Sequence, residues 1–177
     1  NLDPETADLS LLFYYLDHYS RGKDRVDLIK AITDVPVHVF GGPSEDNTIE
    51  KQGWEHYLKG QKNVTLHPPL PYGESLEILK KSKICLNSMP FFKWGSHERL
   101  FNSFACGALP VTTDNLFSRE EFVDGEEAIL YLNKSVGEVN DKIVALLKDE
   151  DKRQAGVAKG REKVMARHTW DTRVDQL

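Results

Sequence analysis

Leu9, Leu12, Phe13 and Leu16 recur at i, i+3, i+4 and i+7, the spacing of one helical face. Val26, Ile29 and Ile32 carry the apolar set past Ser20-Arg21-Gly22, so the pattern predicts a helix from about Leu9 to Ile32, with Gly22 a point of interruption. The alternative makes LLFYY a strand and YSRGKD a loop. Aromatic content favours that alternative and periodicity opposes it.

Beyond this segment, short apolar runs alternate with amphipathic ones. PVHVFGG is a strand stopped by Gly41, Gly42 and Pro43, and the polar stretch PSEDNTIEKQ follows. WEHYL predicts a short helix and NVTLH a second strand. PPLPYG is a proline-stiffened loop, and Ser75 to Lys83 a helix with lysines at its end, where they suit the helix dipole. KICLN is a third strand and SMPFFKWG a loop of large side chains. Leu100, Phe101, Phe104, Ala105 and Ala108 then make a helical stripe closed by Gly107. LPVTTD is a fourth strand, LFSREEFVDG a short helix or turn, and AILYL a fifth strand. Val136 to Leu147 and Glu150 to about His168 are the last helices. Strands that read as continuous apolar runs between helices predict a Rossmann-like three-layer α/β domain, with a parallel sheet of about five strands covered on both faces.

The 177 residues suit a single domain able to bury its own core. A net charge of −5 without a basic block argues against a general nucleic-acid grip or adhesion to an anionic membrane. An anionic ligand must therefore meet a local basic pocket. No apolar run reaches the ~18 residues of a spanning helix, so no transmembrane segment is expected. Cys85 and Cys106 sit in apolar company and read as buried free thiols, compatible with the cytoplasm. The chain opens NLDPETADLS without an initiator methionine and is read as a piece of a longer protein.

In an open α/β sheet, ligands bind at the carboxyl ends of the strands. Gly41-Gly42 lacks the G-x-G-x-x-G pattern and reads equally as a turn. The rigid Pro68–Pro71 loop puts Tyr72 where a ring flanks a flat base, or is a plain connector. The richest stretch is GSHERLFNSFACGALPVTTDN, residues 95–115. Ser96 as a cap and Glu98 near the positive helix end explain part of it. They leave Lys93, His97 and Arg99 unexplained, and these three with free backbone N–H groups suit a phosphate or pyrophosphate. Glu98 and Asn102, at i and i+4, suit sugar hydroxyls. The six histidines are scattered, and no H-x₃-H or C-x₂-C spacing suggests zinc, so no metal site is expected. Hydrolase-elbow and P-loop patterns are missing, and Asp114 lacks the acidic cluster of a phosphoacceptor.

The order KDRVDLIKAI, VHVFGG, NVTLHPPLPYGESLEILKKSKICLN, ERLFNSFACGALPVTTDN, EFVDGEEAILY resembles the C-terminal, donor-binding half of GT-B glycosyltransferases. More narrowly it is similar to the group 1 enzymes and their CgeB-like branch. The resemblance implies a nucleotide-sugar donor, an N-terminal acceptor-binding domain in the same protein, and catalysis in the cleft with no cofactor and no obligatory metal. It implies donor-binding roles for Tyr72, Lys93, Gly95, Ser96, Arg99 and Asn102, and catalytic roles for His97 and Glu98. Many group 1 enzymes carry two glutamates separated by seven residues before A-C-G; Trp94 and Asn102 occupy those positions here. The alternatives are a degenerate, non-catalytic nucleotide-sugar-binding module and a GT-B epimerase or phosphorylase. A lone donor half is expected to bind donor weakly and to turn over little.

Overall fold

The computed structural model describes residues 8–42 and 53–174. Pro43 and the polar stretch to Gln52, together with most of the opening NLDPETADLS, lie outside the described residues. The first long helix, α1 (Ser10–Ala31), runs unbroken through Gly22. It is followed by β1 (Val37–Phe40), α2 (Trp54–Tyr57), β2 (Val64–His67), α3 (Tyr72–Lys81) and β3 (Ile84–Asn87). Then come α4 (Glu98–Cys106), β4 (Leu109–Thr113), α5 (Leu116–Glu121) and β5 (Ile129–Tyr131). A 3₁₀ turn over Asn133–Glu138 leads into α6 (Val139–Lys148), α7 (Glu150–Arg167) and α8 (Trp170–Val174).

The five strands among the described residues are all parallel, in keeping with short apolar runs between helices. They do not make the single sheet expected from sequence. They divide into β1-β2 and β3-β4-β5, because β1 and β3 do not pair with each other. Val37 lies opposite Val64 in the first sheet, and Val111 opposite Ile129 in the second.

Alternation along β5 shows the layering. Ile129 and Tyr131 join a core with Leu28 of α1, with Ile32 just past its end, and with Val139 and Ile143 of α6, while Leu130 joins Leu100 and Phe104 of α4 and Val164 of α7. Helices thus cover both faces of the larger sheet. The close approach of α7 to α4 rests on glycine: a Cβ at Gly160 would lie 2.1 Å from the Phe104 ring.

The opening helix departs from its predicted role. Leu28 and Ile29 are buried, but Leu12, Phe13 and Leu16 of the expected core stripe are exposed, as are Leu11, Tyr14 and Tyr15. Only the C-terminal part of α1 packs as the periodicity predicted. Cys85 is buried and Cys106 is only partly so; both are free thiols. Burial pushes both thiols up from their ordinary pKa, which disfavours their thiolate forms. No helix among the described residues is long and apolar enough to cross a membrane.

Candidate functional site

The carboxyl end of β3 holds the centre of the site. Asn87, the last residue of that strand, is fully buried. Its Nδ2 donates to Thr112 Oγ1 on β4 at 3.1 Å, which fixes the amide and turns its oxygen outward to accept from Arg99 Nη1 at 3.2 Å. A buried strand end thereby aims a guanidinium in the first turn of α4.

That first turn is built differently from the sequence expectation. The N-cap of α4 is His97, not Ser96: His97 Nδ1 accepts from the Arg99 backbone N–H at 3.2 Å. Ser96 Oγ donates instead to the His97 carbonyl at 3.2 Å. Both residues have the right chemistry, and the helix starts one residue later than a serine cap needs. Because Nδ1 accepts, the neutral ring carries its proton on Nε2. Burial, followed by the neighbouring Arg99 charge, lowers the His97 pKa from its ordinary 6.5. His97 is therefore a neutral donor rather than one of the cations.

Its place in the positive cluster is taken by Arg25 of α1. Arg25 and Arg99 line the same cavity, of about 1240 Å³, and Glu98, Asn102 and Tyr72 stand on its wall too. Desolvation first, then Arg99 and Arg21, lower the Arg25 pKa, the mark of guanidinium groups gathered in one place. Asp24, beside Arg25 in sequence, does not neutralise the cluster directly. Its buried carboxylate accepts from Ser88 Oγ, Tyr131 Oη and Asn133 Nδ2, so it ties α1 to the strand ends of β3 and β5.

Two segments far apart in sequence meet over the cavity mouth. Asn102 Nδ2 donates to Tyr72 Oη at 2.9 Å, joining the proline-stiffened loop to the α4 face. Tyr72 stays 58% exposed, which leaves its ring open to a ligand. The loop before α4 sits beside this arrangement rather than inside it: Lys93, Gly95, Ser96 and His97 are not among the cavity-lining residues. Asn115 Nδ2 clamps that loop through the Phe92 carbonyl at 2.6 Å and the Gly95 carbonyl at 3.3 Å. Gly95 takes φ +85°, where a side chain would be strained. Arg21 crosses from α1 to cover the Phe91 ring at 4.2 Å.

The remaining candidates are structural. Asp114 is held by Arg119, with Nη2 to Oδ2 at 2.8 Å. Gly41, at φ +141°, turns the chain at the end of β1 close to Trp54. The fold also pairs two of the scattered histidines, His38 Nδ1 with His67 Nε2 at 2.9 Å. Among the described residues, no group of three or more His, Cys, Asp or Glu side chains is placed to hold a metal ion.

Asn87 was missed as a functional candidate by sequence reasoning, and Arg25 stands with Arg21 and Lys23 where the resemblance leaves a basic phosphate pair unassigned. Arg25 carries a usable signal, a cation one helix turn from the buried Leu28. Asn87 carries one as well, a polar residue closing an apolar strand.

Comparison with known proteins gives the chain a family and neighbours of the same fold. A family model described as glycosyl transferase-like matches residues 23–177. No curated protein matches the chain. The sucrose-phosphate synthase of Thermosynechococcus elongatus is similar in structure, with a TM-score of 0.69 and 17% identity; the match covers 87% of this chain and 40% of that one. S. aureus TarM superposes with a TM-score of 0.62 and 16% identity, over 99% of this chain and 32% of that one. Anabaena HepE, solved in complex with UDP-glucose, gives a TM-score of 0.65 and 11% identity, over 85% of this chain and 42% of that one. The chain thus spans less than half the length of these proteins.

Proposed function

The chain belongs to the glycosyl transferase-like family, and on that premise we propose that it is the donor-binding half of a glycosyltransferase, working in the cytoplasm with an N-terminal acceptor-binding domain. Its partial span of longer structural neighbours supports that division. The motif order supports a place in the CgeB-like branch. HepE's complex with UDP-glucose makes UDP-glucose the first donor to test.

The observation that carries the reading is the convergence of Arg25, Arg99, Asn102 and Tyr72 on one cavity mouth at the carboxyl end of β3. In the proposed pose the diphosphate lies against Arg25 and Arg99 and the first-turn N–H groups of α4. Tyr72 and Asn102 border the nucleoside. Lys93, Gly95 and Ser96 form the loop that closes over the phosphates. In transfer, the bond from the anomeric carbon to the diphosphate oxygen breaks, and an acceptor oxygen bonds to that carbon as its proton passes to the Glu98 carboxylate or the departing diphosphate. The negative charge growing on the departing diphosphate is stabilised by guanidinium groups already in place, with no metal or other cofactor. Of the two proposed catalytic residues, His97 donates from Nε2 to a sugar or phosphate oxygen. Glu98 supplies the carboxylate that attracts a proton or a positive anomeric centre.

Asn102 favours a second reading, a non-catalytic nucleotide-sugar module, since an amide bonded to Tyr72 stands where many group 1 enzymes have a glutamate. Titration calorimetry with UDP-glucose tests binding, and release of glucose or a glycoside from full-length protein tests turnover. Binding with turnover supports the enzyme, binding alone supports the module, and no binding contradicts both.

A further inference from the structure

Three large side chains of the loop between β3 and α4 face water. Phe91, Phe92 and Trp94 are 41%, 44% and 62% exposed, and Leu116 of α5, which bonds to this loop, is 43% exposed. The backbone that carries the rings is nevertheless fixed. Met89 is buried; its N–H donates to Thr113 Oγ1 at 2.8 Å, its carbonyl accepts from the Phe92 N–H at 3.2 Å, and its sulfur accepts from the His97 N–H at 3.1 Å. The Leu116 N–H donates to the Lys93 carbonyl at 3.3 Å, in addition to the Asn115 clamp. A loop tied down at so many points has little ordering entropy left to lose when something binds to its rings.

Arg21 covers the Phe91 ring. Among the described residues, no ring or cation stacks on Phe92 or Trp94, and the Trp94 indole N–H has no hydrogen-bond partner. None of the three aromatic residues stands on the wall of the cavity, so what they meet is not the donor held inside it. An acceptor approaches the mouth from outside, where this loop stands. An indole offers a flat apolar face and one N–H at its edge. A pyranose ring matches both, with a C–H face for the indole ring and hydroxyls for the N–H. A stable protein interface takes ~20–30 residues a side, many more than this patch supplies. A chain of net charge −5 is not drawn to an anionic bilayer.

We propose that Trp94, with Phe92 of the same loop, is the platform on which a neutral sugar ring of the acceptor stacks, which makes the acceptor a carbohydrate or a glycoside. Stacking fixes the plane of that ring and leaves its hydroxyl edge free to turn towards the mouth. The donor half then selects the acceptor as well as the donor. The acceptor role rests on the donor-binding reading; the sugar contact does not.

Saturation-transfer NMR on the full chain tests it, with the aromatic protons irradiated and the methyl glycosides of glucose, galactose and N-acetylglucosamine added in turn at ~10 mM. Saturation of the C–H protons on one face of at least one glycoside is expected. Trp94→Ala is expected to weaken that glycoside about 3- to 10-fold, the loss of one ring contact, and Trp94→Phe to weaken it less. Trp94 is largely exposed, so circular dichroism is expected to show both variants folded. No saturation from any glycoside, or equal affinity in Trp94→Ala, would overturn the platform. Displacement of the glycoside by UDP-glucose would place the sugar in the donor cavity and overturn the acceptor role. Binding to phosphatidylcholine vesicles that disappears in Trp94→Ala would give the rings to a membrane and overturn the proposal. Glycoside contact without UDP-glucose binding in calorimetry would contradict the donor reading and leave the sugar platform standing; UDP-glucose binding without glycoside contact would do the reverse.

Discussion

Asn102 on α4 and Tyr72 at the start of α3, thirty residues apart, are joined by a hydrogen bond of 2.9 Å from the amide to the phenol. The bond turns two separate candidates into one wall of one site. Asn102→Ala is expected to free the ring and weaken nucleotide binding about 3- to 10-fold, the range of one neutral hydrogen bond, without lowering the thermal midpoint by more than a degree or two. Tyr72→Phe removes the same bond but keeps the ring, so it is expected to lose less affinity than Tyr72→Ala. Calorimetric titration of the three variants gives the order.

Arg99 lies two residues beyond His97, and its charge acts on the His97 ring. The His97 midpoint, read by NMR from its ring carbons, is expected below the ordinary 6.5 because burial and Arg99 disfavour the imidazolium. Arg99→Ala is expected to raise it. The sign for stability follows: the unfolded chain takes up the proton first, so this contribution is present above about pH 6.5 and is lost as pH falls through the folded midpoint. Protonation of Nδ1 would also remove the cap of α4. A wild-type midpoint at or above 6.5 would contradict the neutral-donor role.

Tyr131 and Asp24 bind the strand end of β5 to α1 with a bond of 2.7 Å between buried groups. Tyr131→Phe leaves the buried carboxylate short of one donor and is expected to cost about 1–3 kcal/mol in chemical denaturation. Asp24→Ala removes the acceptor that Tyr131, Ser88 and Asn133 share and is expected to cost more.

Gly160 lets α7 lie against Phe104 of the site helix. Gly160→Ala is expected to destabilise by about 1–3 kcal/mol, although alanine is the better helix former, because the added methyl overlaps the ring. A stabilised Gly160→Ala protein would show that α7 packs elsewhere.

How much of this was legible in the sequence depends on the range of the interaction. KICLN and LPVTTD each carry a short apolar run, and Gly107 closes the helix between them in the left-handed conformation, φ +89°; β3, α4 and β4 were therefore readable from local rules. The cap of α4 was not, because Ser96 and His97 are both competent acceptors and only a one-residue shift decides between them. Tyr72 against Asn102, Asn87 beneath Arg99 and Gly160 against Phe104 are contacts between elements, for which periodicity carries no signal. Leu12, Phe13 and Leu16 gave a strong helical period that describes the helix but not what covers it.

The guanidinium of Arg99, held by Asn87 in front of the α4 N-terminus, is the contact that the donor-site account depends on most. The direct test is titration calorimetry of UDP-glucose into the wild-type protein and into Arg99→Ala, with circular dichroism to confirm that both fold. The account predicts measurable binding to wild type that weakens about 10- to 100-fold in the variant and declines with added salt, as loss of a charge-assisted contact to a diphosphate requires. Equal affinity in the two proteins, or no heat from the wild type at ~1 mM with uridine, guanosine or adenosine diphosphate sugars, would contradict it.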